Sequence, residues 1–220
     1  MSMIKEIKIC GLSTPADIDA VISGGATHMG MIFFEKSPRH VSLEKARELA
    51  EHTANRIAKV AVSVNADDDY LEQIVEATSP DMLQLHGSES PERVLQIKEH
   101  YRLPVMKAFA IRDKDDLEKT ISYMPVVDRF LFDAKPPEGS ELPGGNGVAF
   151  DWHILDDWTS PVPYMLSGRL DIDNVSEAVS LSGARAIDIS SGVEKAPGEK
   201  DTALITAFLE RCKTIDAQDK

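Results

Sequence analysis

A chain of 220 residues is long enough to bury a full hydrophobic core, and its 42% hydrophobic and 28% charged residues exclude an intrinsically disordered protein. The net charge of −13, with no local basic cluster, argues against a nucleic-acid partner. No apolar run approaches the ~18 residues of a membrane span, and the polar first residues lack a signal-peptide core. We therefore expect a cytoplasmic protein without a membrane partner.

Short apolar runs alternate with amphipathic helical patterns along the chain. Several helical patterns begin at capping residues, as in 42–53, 90–101 and 201–213, and Thr14-Pro15 marks another start. Each strand is followed by a helical segment, which makes eight of each and predicts parallel strands with crossover helices. The eight candidate strands are EIKICG (6–11), HMGMIFF (28–34), AKVAVSVN (58–65), MLQLHG (82–87), PVMKAFAI (104–111), RFLFDA (129–134), VPYMLSG (162–168) and AIDISSG (186–192).

Eight strand–helix units of about 27 residues predict a closed (β/α)8 TIM barrel. The alternative is a doubly wound open sheet, which needs a glycine-rich dinucleotide turn after its first strand. The segment CGLSTPAD (10–17) lacks the GxGxxG pattern of such a turn. No linker or break in composition divides the chain, so we expect residues 1–220 to form one domain.

Alternation along the strands assigns polar side chains to the inside of the barrel. A single inward polar residue could be a satisfied core group, but seven in phase on four strands predict a site at the C-terminal mouth. By the same alternation Lys107 is expected to point inward, either toward an anionic ligand or as a member of a structural ion pair. The seven are Lys8, Cys10, Gln84, His86, Asp133, Asp188 and Ser190.

The loops after the seventh and eighth strands have the composition of a phosphate site. Gly168 would allow close approach to the backbone, and the stretch 171–174 begins a helix whose first amides lack internal partners. Ser190, Ser191 and Gly192 add hydroxyl and amide donors. Glycine and serine here could also serve only as turn residues, but the two loops are adjacent in a barrel and together predict phosphate binding.

Six motifs together resemble the phosphoribosylanthranilate isomerases of tryptophan biosynthesis. They occur in the family's order over essentially the whole chain. The motifs are KICGLS (8–13), SPRHV (37–41), QLHG (84–87), LFDAK (131–135), GGNGVAFDW (144–152) and DISSGVEKAPGEKD (188–201).

This resemblance implies an enzyme without cofactor or metal that performs an Amadori rearrangement on a small phosphorylated substrate. By motif position Cys10 is the expected general base, Asp133 the general acid and Arg39 the clamp for the anthranilate carboxylate. Asp188 is expected close to the substrate, and we also expect Lys8, Gln84 and His86 to contact it. The resemblance places phosphate at the loops around Gly168 and Ser190–Gly192, with the adjacent Arg169 as a further candidate contact, and it is compatible with a monomer or a homodimer.

The chemistry sets requirements on two pKa values. Asp133 must hold a proton near neutral pH, so its surroundings must raise its pKa. Cys10 must be available as a thiolate, and we expect Lys8 or a helix N-terminus to lower the pKa of its thiol. Each residue also has a purely structural alternative. Cys10 could be an inert thiol in the core, and Asp133 could cap a helix or form an ion pair with Lys135. Arg39 could be a solvated loop residue.

The chain departs from the family pattern in two places, and a third segment has a special composition. Arg169 stands where a second glycine is common and would either add a phosphate contact or block backbone approach. Asn146 stands where a small hydroxyl residue is common, and 135–147 has the composition of a lid. The alternatives are another phosphate-binding barrel of the same pathway, which would lack the Cys-Gly pair, and a catalytically idle barrel that binds phosphorylated metabolites.

Overall fold

The computed structural model describes residues 4–134, 151–155 and 158–215. Eight parallel strands form a closed barrel in chain order, and β8 pairs with β1 to complete it, which confirms the predicted TIM barrel. The strands are β1 (Glu6–Cys10), β2 (His28–Phe33), β3 (Ala58–Ser63), β4 (Met82–Leu85), β5 (Val105–Ile111), β6 (Arg129–Ala134), β7 (Tyr164–Leu166) and β8 (Ala186–Ile189). A two-stranded hairpin follows, formed by β9 (Glu194–Ala196) and β10 (Glu199–Lys200).

Seven α-helices occupy the outside of the barrel in the described ranges, one fewer than predicted. Between β6 and β7 these ranges contain a 3₁₀ turn, Trp152–Leu155, and Pro161 and Pro163 oppose a helix directly before β7. The α-helices are α1 (Pro15–Gly24), α2 (Leu43–Thr53), α3 (Asp68–Thr78), α4 (Pro91–Tyr101), α5 (Lys114–Glu118), α6 (Val175–Ser182) and α7 (Thr202–Thr214). None of the helices described is both long and apolar enough to cross a membrane.

Capping side chains fix where the helices begin, as the sequence predicts. The Ser42 hydroxyl accepts a hydrogen bond from the amide of Lys45 at 3.2 Å, and Thr14 accepts one from Asp17 at the same distance. The Asp201 carboxylate accepts from two amides of α7. The predicted strands run too far at several C-terminal ends, because the chain turns there into the loops of the barrel mouth.

The barrel has an apolar interior below its polar mouth. Val60, Val62, Met106, Leu131 and Met165 fill this interior and form one buried cluster with Cys10. The outward side chains of the same strands pack beneath the helices in a second, larger core. The polar groups that line the cavity lie at the C-terminal end of the interior, whereas Glu6, His28 and Arg129 form ion pairs at its N-terminal end.

Lys107 does not point into the barrel, contrary to our expectation. In the sheet it is the register partner of Leu85 and Phe130, whose side chains belong to the outer core. Its ammonium lies 3.3 Å from the Glu89 carboxylate and donates to the backbone carbonyl of Gly87 at 2.8 Å. Lys107 is therefore a member of a structural ion pair, which joins β5 to the loop after β4.

Candidate active site

A cavity of about 730 Å³, partly open to solvent, lies at the C-terminal mouth of the barrel. It brings together nine of the twelve residues predicted for the site. Its walls also include apolar side chains, among them Phe34, Val64 and Leu170, which suit an aromatic ligand. The nine predicted residues are Cys10, Arg39, Gln84, His86, Asp133, Arg169, Asp188, Ser190 and Ser191.

Lys8 does not line this cavity, because it lies beneath Asp188 at the closing seam of the barrel. Its Nζ donates to Asp188 Oδ1 at 2.8 Å, and its side chain is fully buried. Burial alone would lower the pKa of Lys8, but Asp188 and Cys10 outweigh it and hold that pKa above its ordinary value. Lys8 is therefore charged and fixes the position of the Asp188 carboxylate.

Cys10 ends β1 with its thiol at the cavity. Burial raises the pKa of this thiol, and the nearby Lys8 ammonium opposes that effect without overcoming it. The expected lowering of the Cys10 pKa is therefore wrong for the ligand-free protein, because β1 holds the thiol in a desolvated position. Neither Cys10 nor Cys212 is in a disulfide bond, and Cys212 is buried in α7 on the outside of the barrel.

Asp133 on β6 has the property expected of a general acid. Burial raises its pKa to about 7, and the Asp188 carboxylate acts in the same direction. One carboxyl oxygen, Oδ1, accepts a hydrogen bond from the amide of Ala134 at 2.8 Å. That bond fixes the carboxyl group and leaves Oδ2 toward His86. Lys135, the alternative partner, lies outside the described residues.

His86 is neutral and has a defined tautomer. Burial lowers its pKa to about 3, with Lys107 and Lys8 adding to the effect. The amide nitrogen of Gln84 lies 3.1 Å from His86 Nδ1, and an Nδ1 that accepts from this amide leaves the proton of the neutral ring on Nε2. This Nε2 lies 3.7 Å from Asp133 Oδ2. The other amide atom, Gln84 Oε1, is buried and has no hydrogen-bond partner among the residues that the structure describes, so it is available as an acceptor at the cavity wall.

Arg39 is a buried residue rather than a solvated one. Its Nε and Nη2 donate to the two carboxylate oxygens of Glu194 at 2.7 and 2.8 Å. Glu194 also accepts from Lys200 Nζ at 2.7 Å. Burial raises the pKa of Glu194, but Arg39 and Lys200 together hold it below its ordinary value, so Glu194 is ionised.

The two predicted phosphate loops meet at one side of the cavity. Ser190, Ser191 and Arg169 line it, whereas Gly168 and Gly192 lie behind the wall. A Cβ atom at Gly168 would lie 2.8 Å from the backbone nitrogen of Ala134, and one at Gly192 would overlap the carbonyl oxygen of Leu170. Close backbone packing therefore accounts for these two glycines.

Four polar residues near the site had no predicted role. Ser37 and Ser167 line the cavity, and Glu194 and Lys200 join Arg39 to Ser190. Glu194 and Lys200 belong to the motif at the eighth strand, and their opposite charges within this motif could have indicated an ion pair. In the part of the chain that the structure describes, no cluster of three or more His, Cys, Asp or Glu residues could hold a metal ion.

Residues 7–211 match the family model for N-(5'phosphoribosyl)anthranilate (PRA) isomerase. The chain belongs to this family. It is 56% identical to N-(5'-phosphoribosyl)anthranilate isomerase of Brucella canis over 216 residues, which are 98% of this chain and 97% of that protein. The resemblance read from the sequence motifs, and with it the prediction of an isomerase, is confirmed.

Solved structures of the family have the same fold. Phosphoribosyl anthranilate isomerase from Thermotoga maritima is 31% identical, with a TM-score of 0.83 and coverage of 96% of this chain and 99% of that one. A second isomerase structure contains reduced 1-(o-carboxyphenylamino)-1-deoxyribulose 5-phosphate. It is 29% identical with a TM-score of 0.81, and the coverage is again 96% and 99%.

Proposed function

We propose that this protein converts N-(5′-phosphoribosyl)anthranilate to 1-(2-carboxyphenylamino)-1-deoxyribulose 5-phosphate, an Amadori rearrangement in tryptophan biosynthesis. The observation that carries this proposal is one cavity with a carboxyl group of pKa about 7, Asp133, and a thiol, Cys10. A guanidinium group, that of Arg39 or Arg169, is available for each anionic end of the substrate. The fold and the family membership support the same reaction.

Asp133 is the proposed general acid. It protonates the furanose ring oxygen, the bond from this oxygen to C1 breaks, and the anthranilate nitrogen forms a protonated Schiff base with C1. A carboxyl group with a pKa of about 7 still holds its proton in a large fraction of molecules at neutral pH. The amide of Ala134 and the Nε2 proton of His86 are placed to stabilise the carboxylate that remains.

Cys10 is the proposed general base. It removes the proton from C2 of the sugar, which the adjacent iminium group has acidified, and the resulting enolamine tautomerises to the ketone. The raised pKa keeps the thiol protonated in most ligand-free molecules. We propose that the positive iminium, together with Lys8, favours the thiolate once the ring has opened.

Different side chains of the cavity are proposed to hold the two anionic ends of the substrate. Arg39 is the proposed partner of the anthranilate carboxylate, and Arg169, Ser190 and Ser191 that of the phosphate, with the loop backbone at Gly168 and Gly192 shaping this end. Gln84, His86 and Asp188 are left for the sugar hydroxyls. Lys8 contributes through Asp188.

We further propose that the enzyme consists of a single domain and acts in the cytoplasm. One Thermotoga maritima structure is described as monomers generated from a dimeric isomerase, so both a monomer and a homodimer are compatible with the family.

The proposal is tested by turnover of freshly generated phosphoribosylanthranilate, followed as loss of its fluorescence. Wild type should turn over, and Cys10→Ser and Asp133→Asn should each lose at least about 100-fold in kcat while remaining folded by circular dichroism. Cys212→Ser and Asp128→Asn are matched controls, since Cys212 lies in α7 and Asp128 precedes β6 at the far end of the barrel. They should retain wild-type activity.

A wild-type protein that binds the reduced product analogue but does not turn over the substrate would overturn the proposal. It would favour the idle metabolite-binding barrel.

A further inference from the structure

Arg39 has one saturated edge and one free edge. A guanidinium group has five N–H donors, and Glu194 takes one on Nε and one on Nη2. Within the described part of the chain, no other group is recorded as accepting a hydrogen bond from the Arg39 side chain. Three donors remain, and one of them on Nη1 and one on Nη2 form an edge of the right geometry for a second planar carboxylate.

Packing fixes the aliphatic part of the Arg39 side chain, and Glu194 fixes its guanidinium group. A Cβ atom at Gly11, the residue after the catalytic thiol, would lie 2.8 Å from Arg39 Cδ. On the other side, a Cβ atom at Gly198 in the β9–β10 turn would overlap the carbonyl oxygen of Pro38. The hairpin therefore rests directly on the loop that carries Arg39, and Glu194 is part of a rigid support.

The same carboxylate is tied to the phosphate side of the cavity. Lys200 Nζ donates to Glu194 and also to the carbonyl and hydroxyl oxygens of Ser190, at 2.9 and 3.1 Å. The Ser190 hydroxyl in turn donates to the carbonyl of Cys10 at 3.0 Å. Two cations, Arg39 and Lys200, share one anion, so the cluster keeps an excess positive charge that attracts an anionic ligand.

We propose that Glu194 is a positioning residue for Arg39: it occupies the Nε edge of the guanidinium and presents the Nη1 edge to the carboxylate of the substrate. Lys200 fixes Glu194 relative to Ser190, so the β9–β10 hairpin sets the spacing between the two anion-binding ends of the cavity. This inference rests on the proposed function, in which Arg39 binds the anthranilate carboxylate.

The test compares two ligands that differ only in that carboxylate. One is the reduced product analogue, and the other is its anilino counterpart without the carboxyl group. Glu194→Gln keeps the size of the side chain but removes its charge and one of its two acceptors. It should weaken binding of the carboxylate ligand roughly 10-fold and leave binding of the counterpart within about twofold.

Glu199→Gln is the matched control, because Glu199 lies on the same hairpin, is exposed and contacts only Lys195 among the described ion pairs. It should change neither affinity. Glu194→Asp retains the charge but shortens the reach, so it should weaken the carboxylate ligand selectively as well. It provides the same measurement if Glu194→Gln does not fold. In an Arg39→Ala background, Glu194→Gln should have no further effect on the ratio of the two affinities.

Equal weakening of both ligands by the Glu194 variants, or no weakening of either, would overturn the positioning role. The proposed function fails separately. If Arg39→Ala does not distinguish the two ligands, the assignment of Arg39 to the carboxylate is wrong, and if wild type does not turn over, the isomerase proposal is wrong.

Discussion

Lys8 and Asp188 face each other across the seam where the barrel closes. They are register partners in the β1–β8 pair, and Lys8 Nζ lies 2.8 Å from Asp188 Oδ1. Both side chains are almost completely removed from solvent, so the loss of either partner leaves a largely desolvated charge without compensation. The pair connects the stability of the closed barrel to the geometry of the site.

Lys8→Met should destabilise the protein by about 3–5 kcal/mol, because it leaves the Asp188 carboxylate buried without its partner. Urea unfolding measures this loss. Lys213→Met, at an exposed position of α7, should change the free energy of unfolding by no more than about 0.5 kcal/mol. The Lys8→Met, Asp188→Leu double variant should recover part of the lost free energy of unfolding. A Lys8→Met variant that is no less stable than Lys213→Met would contradict this role of the pair.

Gly30 controls the position of the Cys10 thiol. A Cβ atom there would lie 2.8 Å from Cys10 Sγ and 3.1 Å from Lys8 Cε, so Gly30→Ala must displace one or both. We expect kcat to fall at least about 10-fold with little change in KM, and stability to fall by about 1–3 kcal/mol.

Gly183→Ala is the control that shows whether the loss of activity in Gly30→Ala comes from the displaced thiol or from a general loss of stability. Gly183 has a φ of +66° at the end of α6, and an added Cβ atom would contact nothing. The backbone strain should destabilise this control by about 1 kcal/mol without changing kcat. Equal kcat values for the two variants would mean that the thiol position is not critical.

Simple alternation along strands was sufficient to predict most of the site. It placed Cys10, Gln84, Asp133 and Asp188 correctly, because the register of a barrel brings inward residues of separate strands to one mouth. Alternation assigned Lys107 to the wrong face of the sheet, because residues 104–111 have apolar side chains at both odd and even positions. Only pairing with Leu85 and Phe130 decides which face Lys107 occupies.

The electrostatics of the site could be predicted only in part from the sequence, because the raised pKa of Asp133 was expected and that of Cys10 was not. The raised pKa of Cys10 depends on how deeply β1 is buried, which sequence distance from Lys8 does not reveal. Similarly, Arg39 and Glu194 are 155 positions apart, and only the closed barrel brings them together. Asn146 and the proposed lid at 135–147 lie outside the described residues, so the lid stays a prediction.

Arg169 has a left-handed backbone, with a φ of +56°, which is a conformation that glycine adopts without strain. Arg169→Gly should raise KM roughly 10-fold and weaken the dependence of KM on salt, because it removes a cation at the phosphate end. Glycine relieves the backbone strain of the folded state but gives the unfolded chain more conformational freedom. These effects on the free energy of unfolding have opposite signs, so it should change by less than about 1 kcal/mol.

Arg102→Gly is a matched control for this change. Arg102 has a φ of +54° and ends α4, away from the cavity. It should show a similar change in stability and no change in KM. A lower KM for Arg169→Gly would mean that the arginine obstructs the phosphate.

The most direct test of the proposed acid and base roles is the pH dependence of kcat/KM, which reports the pKa values of the free enzyme, for wild type and Asp133→Asn. Catalysis requires a protonated Asp133 and an ionised Cys10. Because the pKa of Asp133 is about 7 and that of Cys10 is raised, Asp133 loses its proton first as the pH increases. Molecules that have both a protonated Asp133 and an ionised Cys10 are therefore a small fraction of the total. This fraction increases up to pH about 7 and then stays constant until Cys10 ionises.

The account predicts a break near pH 7 in wild type that is absent in Asp133→Asn, whose residual activity should keep rising through that pH. Ionisation of the substrate phosphate affects both proteins equally and does not produce this difference. A break near pH 7 that persists in Asp133→Asn, or a wild-type profile without one, would contradict the assignment of Asp133 as the general acid.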